Sequence, residues 1–196
     1  MANKASLKEK IIIESLKLFS LKGYLSTTID DILKEVNASK GGFYNHFKSK
    51  EELFFAVLSE ARKIWRERCL TGLEGIEDPL GKVITLLENY KDRYLKDYER
   101  FPGGCIFVTL SVELDDQRPH LAHELNKGFV RLKLMINRFF EQAKENGQLK
   151  KGTDTGALAE IIFSGMLGAS VMYGTDKSTK NLDYTINSLV NYLRNL

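Results

Sequence analysis

Between residues 28 and 53 the chain reads Thr28-Ile-Asp-Asp-Ile-Leu-Lys-Glu-Val-Asn-Ala-Ser-Lys-Gly-Gly-Phe-Tyr-Asn-His-Phe47, then Lys48-Ser-Lys-Glu-Glu-Leu53, and no other segment constrains the fold as much. Ile29, Ile32, Leu33 and Val36 repeat at helical spacing over about residues 28–36. An Asn-Ala-Ser break follows, and Phe43 and Phe47 then lie four apart on one face of a second short helix expected over residues 40–47. Two short helices joined by a tight turn form the arrangement that sets a helix into the major groove of DNA.

Helix starts are marked along the same stretch. Ser6-x-x-Glu9, Thr28-x-x-Asp31 and Ser49-x-x-Glu52 each place a hydroxyl three residues before an acid, the capping-box pattern. Ser39 is a fourth cap, but three residues on stands Gly42 rather than an acid. A carboxylate there would face phosphates, so its absence suits a helix end that approaches nucleic acid; an ordinary cap lacking its box has the same sequence.

The pattern continues to the end of the chain without a strand or an internal repeat. Leu7, Ile11, Ile12, Leu16 and Phe19 form a first helix closed by Gly23-Tyr24, which completes a three-helix unit with its own small core. From Ser49 a longer helix carrying Leu53, Val57, Leu58, Ala61, Ile64 and Trp65 bridges to the rest with no flexible linker. Helices then follow over Leu80–Tyr94, ended by Phe101-Pro-Gly-Gly104, and over Cys105–Leu114. The longest runs from Leu121 past Ala143 to Asn146-Gly147 and should measure roughly 40 Å at 1.5 Å per residue. The expectation is an all-α chain of about nine helices: a helix-turn-helix domain over 1–48 fused to a helical ligand-binding and dimerisation domain over 49–196.

The last two helices bear on assembly. Leu158, Ile162, Gly165, Ala169 and Met172 line one face of the first, while Ala157, Ile161, Gly168 and Val171 line another. The final helix repeats Leu182, Ile186, Leu189, Leu193 and Leu196. A helix apolar nearly all round beside a terminal amphipathic one suggests a homodimer built as a four-helix bundle. Its interface is expected at Leu158, Ile162, Gly165, Ala169, Ile186, Leu189 and Leu193; the alternative is a deeply buried internal helix.

Charge and composition narrow the function classes. Up to residue 50 nine lysines face five acids, a balance of +4 in a chain whose net charge is +3, so positive potential concentrates where phosphate binding needs it. Only Cys69 and Cys105 are present, far apart and without a CxxC pair, which argues against a disulfide scaffold or zinc ribbon. The first ten residues have no apolar signal core, and Ile161–Tyr173 is shorter than the roughly 20 residues of a membrane span, so a cytoplasmic protein with no membrane partner is expected. Three histidines, two distant cysteines and no phosphate-cradling glycine loop assemble neither an enzyme site nor a metal or cofactor site.

Over residues 6–58 the sequence resembles the TetR-type (TetR/AcrR) transcriptional regulators. The resemblance is carried by Phe19-x-x-x-Gly23-Tyr24-x-x-Thr27-Thr28-Ile29-x-x-Ile32, then Ser39-Lys40-Gly41-x-Phe43-Tyr44-x-His46-Phe47-x-Ser49-Lys50-Glu51-x-Leu53. Beyond residue 58 it lies only in helix number and order. It implies a homodimer that binds a palindromic double-stranded operator, usually as a repressor, and lets go when a small molecule binds. It also places Thr27 and Thr28 at the phosphate-facing start of helix two, Ser39, Lys40, Gly41, Gly42, Tyr44, Asn45 and His46 on or beside the recognition helix, and Lys50 at the start of helix four. Lysine reads guanine and asparagine reads adenine, so Lys40 and Asn45 are the candidates for base readout, with Tyr44, His46 and Lys50 on the backbone. Gly42 departs from the small hydroxyl or alanine common in the family; two glycines weaken this helix by roughly 2 kcal/mol relative to alanine, and it is expected to fray without DNA.

For the larger half, Trp65, Tyr90, Tyr94, Phe101, Phe107, Phe129, Met135, Met166 and Tyr173 are candidates to enclose an aromatic or lipophilic inducer, with Glu113 and His120 as polar anchors; aromatic stripes at helical spacing also simply pack. Cys105, at the start of a helix, opens a further alternative, a redox or electrophile sensor, against an inert buried thiol. A helical ligand-binding scaffold that never meets DNA is the remaining rival, and it would lack steep salt dependence of DNA binding.

Overall fold

The computed structural model describes residues 5–196; Lys4, counted above among the basic residues, lies outside them. Among the described residues there are nine α-helices and no strand: α1 Leu7–Lys22, α2 Ile29–Val36, α3 Lys40–Tyr44, α4 Lys50–Cys69, α5 Pro79–Asn89, α6 Ile106–Leu114, α7 Pro119–Glu145, α8 Thr155–Asp176 and α9 Thr179–Arg194.

Two of the three capping boxes close fully. Ser6 N–H donates to Glu9 Oε2 (2.7 Å) and Glu9 N–H to Ser6 Oγ (3.3 Å); Thr28 and Asp31 exchange the same pair at 2.8 and 3.0 Å. The third is half a box. Ser49 Oγ accepts from Glu52 N–H (3.0 Å), but the Glu52 carboxylate reaches one residue further back and takes the Lys48 amide at 2.7 Å. Ser39 accepts from Gly42 N–H (3.2 Å). α3 ends at Tyr44, short of the expected Phe47, because the amides of His46 and Phe47 both donate to the Phe43 carbonyl (2.9 and 3.0 Å) and close the helix there.

The helix expected over Leu80–Tyr94 also divides. α5 ends at Asn89 and Tyr90–Leu95 continues as a π-helical turn, on which the Tyr90 and Tyr94 rings stack with centroids 5.7 Å apart. Such turns insert one residue into the helical register and re-aim the side chains after it.

One contiguous buried cluster runs from Ile11 to Leu193. In the first fifty residues it consists of Ile11, Leu16, Phe19, Ile32, Leu33, Phe43 and Phe47, with Tyr24 edge-on to Phe19 and to Phe54 of α4 (5.5 and 5.3 Å). α4 passes without a break from α1 to α5, and α8 packs between α7 and α9. At 22 residues α8 is long and apolar enough to cross a bilayer by length and composition alone. Here its inner face is a core face.

That inner face overturns the expected subunit interface. Leu158, Ile162, Ala169, Ile186 and Leu193 are at most 4% exposed inside the protomer. Gly165 faces Leu189 of the same chain so closely that a Cβ there would lie 2.8 Å from Leu189 Cδ1. α9 therefore folds back on α8 within one chain, which takes five of the seven positions into its own core and leaves Gly165 and Leu189 half-buried against each other. The opposite face of the pair, with Ile161, Gly168, Met172, Tyr184 and Tyr192, is exposed.

Candidate DNA interface and ligand cavity

Of the residues expected at DNA, Thr28, Ser39, Lys40, Gly41, Tyr44, Asn45 and His46 are exposed around the start of α2 and along α3. Lys40 Nζ pairs with Asp30 at 3.1 Å, both side chains about two-thirds exposed, so the ammonium can exchange this partner for a phosphate or a base edge at little cost. Three positions differ from expectation. Thr27 is fully buried and its hydroxyl donates to the Gly23 carbonyl (2.6 Å), which stitches the α1–α2 turn. Lys50 folds back on its own chain, its Nζ 3.4 Å from the Leu25 carbonyl and 4.3 Å over the Tyr24 ring, and burial lowers its pKa. Gly42 is half-buried, and a Cβ there would meet Leu7 Cδ2 at 3.3 Å, so this glycine lets α3 seat on α1. Beside them, the Thr28 amide and hydroxyl, then Lys22, hold the Asp31 carboxyl down at about 2.

The larger half encloses a cavity of about 230 Å³ between α4, α6, α7 and α8. Trp65, Tyr90, Cys105, Phe107, Phe129, Met135 and Met166 converge on it. The other five candidates do not. Tyr94 lies behind the wall, its ring 4.9 Å from Phe101 and 6.5 Å from Phe107 and its hydroxyl 3.7 Å from Cys105 Sγ. Burial raises the pKa of both Tyr90 and Tyr94. Phe101 is buried with them, and Tyr173 is engaged by the Tyr98 hydroxyl. Sequence reasoning passed over Arg62, Arg66 and Arg131, which line the same cavity. Positions 62, 65 and 66 share one face of α4, so the periodicity that singled out Trp65 could have brought in the two arginines with it.

Glu113 and His120 serve elsewhere, Glu113 as a tie between the two halves and His120 against the start of the bridging α4. The Glu113 carboxylate at the end of α6 accepts from the Tyr24 amide on Oε2 (2.6 Å) and the Leu25 amide on Oε1 (2.8 Å), just ahead of α2. Gly23, at φ +80°, leaves room for it: a side chain there would strike the carboxylate. His120 Nε2 lies 3.1 Å from Glu51 Oε2 on α4, next to Lys50. A second tie between the halves is the turn before α6, where Gly103 N–H donates to Ser20 Oγ (3.3 Å) while Lys177 Nζ donates to the Gly103 carbonyl (3.0 Å). α6 thus carries Phe107 at the cavity and Glu113 on the α1–α2 turn, about 9 Å apart along the helix.

Known proteins share this architecture and much of its sequence. Residues 11–57 match the family described as bacterial regulatory proteins, tetR family, and residues 79–189 match the tetracyclin repressor-like C-terminal domain. An HTH-type transcriptional regulator from the lacX 3′ region of Lactococcus lactis is 38% identical over 122 residues, 61% of this chain and 62% of that one. The Escherichia coli repressor NemR is 23% identical over 195 residues, 95% of this chain and 93% of its own. A TetR transcriptional regulator from Chloroflexus aurantiacus superposes with a TM-score of 0.87 at 26% identity, covering 96% of this chain and 94% of its own. NemR in its reduced form superposes at 0.72 with 20% identity over 95% and 96% of the two chains. With matched domains on both sides of the bridging α4, the chain belongs to the TetR family of bacterial transcriptional regulators, which are not enzymes.

Proposed function

We propose that the protein is a homodimeric repressor of a palindromic DNA operator, acting in the cytoplasm, and that a small lipophilic or aromatic molecule in the cavity releases it. The observation that carries this reading is the double grip of Glu113 on the Tyr24 and Leu25 amides, because it joins a cavity-lining helix to the turn that aims α2 and α3. A ligand that displaces Phe107 moves α6, Glu113 follows, and the helix-turn-helix swings with it. Release requires only that the ligand bind the swung state more tightly than the DNA-bound one. For the second subunit, the exposed stripe of Ile161, Gly168 and Met172 on α8 with Tyr184 and Tyr192 on α9 offers an apolar face with a small residue at its middle.

Selection of genomic fragments with the purified protein tests the reading. The expected result is a palindrome whose binding falls steeply with salt and is lost on Lys40→Ala or Tyr44→Ala. Tight binding indifferent to sequence would overturn it.

A second reading has one observation in its favour: Cys105 caps the start of α6 and lines the cavity, so an electrophile that enters meets a thiol on the helix that holds Glu113. If Cys105→Ser leaves release by every electrophile unchanged, this reading fails.

A further inference from the structure

The wall of the cavity is apolar apart from one feature. Trp65, Phe107, Phe129 and Met166 supply aromatic and thioether surface, and no aspartate, glutamate, lysine or histidine lines it, yet three arginines do. Arg62 and Arg66 stand one turn apart on α4 and Arg131 faces them from α7. Among the described residues none of the three is ion-paired; the arginines that find carboxylates are Arg68, Arg100 and Arg194. The acid whose charge acts on Arg62, Glu124, is taken by Lys127, and its backbone carbonyl accepts from Arg62 Nη2, at 2.6 Å. Burial lowers the Arg62 pKa, and the neighbouring charges of Arg131 and Arg66 lower it further while Glu124 opposes them. Three guanidinium groups, Arg62 half-buried and Arg66 and Arg131 exposed, stand without an anion at the open edge of an apolar chamber, a positive rim that a bound anion would neutralise. The guanidinium fork matches a carboxylate with two parallel hydrogen bonds, whereas it offers a cation nothing.

We propose that the cavity takes a compact lipophilic carboxylic acid, its carboxylate held by Arg62, Arg66 and Arg131 and its alkyl or aryl body against Trp65, Phe107, Phe129 and Met166. This rests on the cavity being the inducer site and adds the charge and polarity of the inducer. It excludes the cationic lipophiles that an aromatic cage without arginines would favour.

Trp65 is the sole tryptophan of the chain and lines the chamber, so its emission reports occupancy with no DNA present. The full chain is titrated at pH 8 with decanoate and decyltrimethylammonium below their micelle concentrations and decan-1-ol below its solubility limit. Decanoate should shift the emission with an affinity roughly tenfold or more above that of decan-1-ol, with no response to the cation. Arg62→Gln combined with Arg131→Gln should bring decanoate down to the affinity of the alcohol and leave the alcohol unchanged, while Arg66→Lys keeps the preference for the acid. Equal affinity for acid and alcohol in the unaltered protein overturns the proposal whether or not the variants fold, as does a silent decanoate titration. Binding of decanoate without release of operator would overturn the inducer reading and still support the acid pocket.

Discussion

The helix-turn-helix unit and the bundle beneath it keep their shapes by different means. In the first fifty residues the helices are short and their ends are tied locally: two complete capping boxes, the Thr27 hydroxyl on Gly23, and Asn37 in the left-handed conformation that closes α2. The core is a handful of rings. The bundle relies more on length and burial, with α7 of 27 residues and α8 of 22; Asp78, Asp154 and Ser178 cap α5, α8 and α9, but the N-caps of α6 and α7 make no side-chain capping bond. A unit held by local chemistry can present a fixed polar surface and move as a body, while a bundle held by area can leave a chamber unfilled. Coupling between them then falls to a few polar ties.

Phe43→Ala strikes hardest at this contrast. The ring is fully buried between Tyr44 and Phe47, and losing it from so small a core should cost about 4 kcal/mol. Hydrogen exchange should then show the amides of α1–α3 opening while those of α7 and α8 keep their protection. If all helices lose protection together, the two regions are one cooperative unit and the contrast fails. Next comes Gly103→Ala. A Cβ at this position would land on the Ser20 carbonyl oxygen, backbone against backbone, so α1 must lift from the bundle at a cost of about 3 kcal/mol. Thermal unfolding measures it, and a value within about 0.5 kcal/mol of the parent would mean that the two halves are not seated through this turn.

Glu113→Gln is smaller in energy and sharper in meaning. The amide keeps one acceptor oxygen and turns an NH₂ toward the second of the Tyr24 and Leu25 amides, leaving a donor against a donor at a cost of about 2 kcal/mol. The expected signature is a loss of coupling: the ratio of operator affinities with and without inducer falls toward one, while inducer binding to the free protein stays within about twofold. His120→Ala removes an exposed contact with Glu51 and should cost under about 1 kcal/mol, with the coupling intact. Equal effects from the two would show that the tie at Glu113 has no special standing.

The same physics decides how much was legible in the sequence. A cap is written within four residues, so the starts of α1, α2, α3 and α4 were readable, and even the misread Glu52 sits one amide from its expected partner. Faces are written in periodicity, which brought Trp65, Phe107 and Met166 to one chamber but could not tell a wall from what lies behind it, hence Tyr94 and Phe101. α8 is apolar on two sides, and nothing in one strand of sequence says which side meets α9 of its own chain; Leu158 and Ile162 turned inward, and Ile161 and Met172 were left outside. Arg62, Arg66 and Arg131 escaped because a charged side chain on a long helix reads as solvated, which Arg66 and Arg131 are, and only the opposite wall shows that they also rim a chamber. Glu113 was legible as a polar residue near the chamber, but its partners stand 88 and 89 residues away in sequence.

An effect of opposite sign separates the two adjacent glycines of α3. At Gly42 a Cβ would press on Leu7 Cδ2 at 3.3 Å, so Gly42→Ala needs the Leu7 side chain to give by a small displacement. At Gly41 it would meet only Ser39 Oγ, at 3.8 Å, and Gly41→Ala should stabilise the free protein by about 1 kcal/mol through helix propensity alone. In the unaltered protein the α3 amides should exchange faster than those of α1, and Gly41→Ala should slow them. Operator affinity should nonetheless fall if α3 reads DNA as proposed, since the methyl group stands beside Lys40 and Tyr44. Greater stability with weaker binding would mean that the reading helix gives up rigidity for closeness to the groove, a compromise the bundle has no cause to make. Should affinity rise with stability, Gly41 has no role at the groove, and the softness of α3 is a cost without a return.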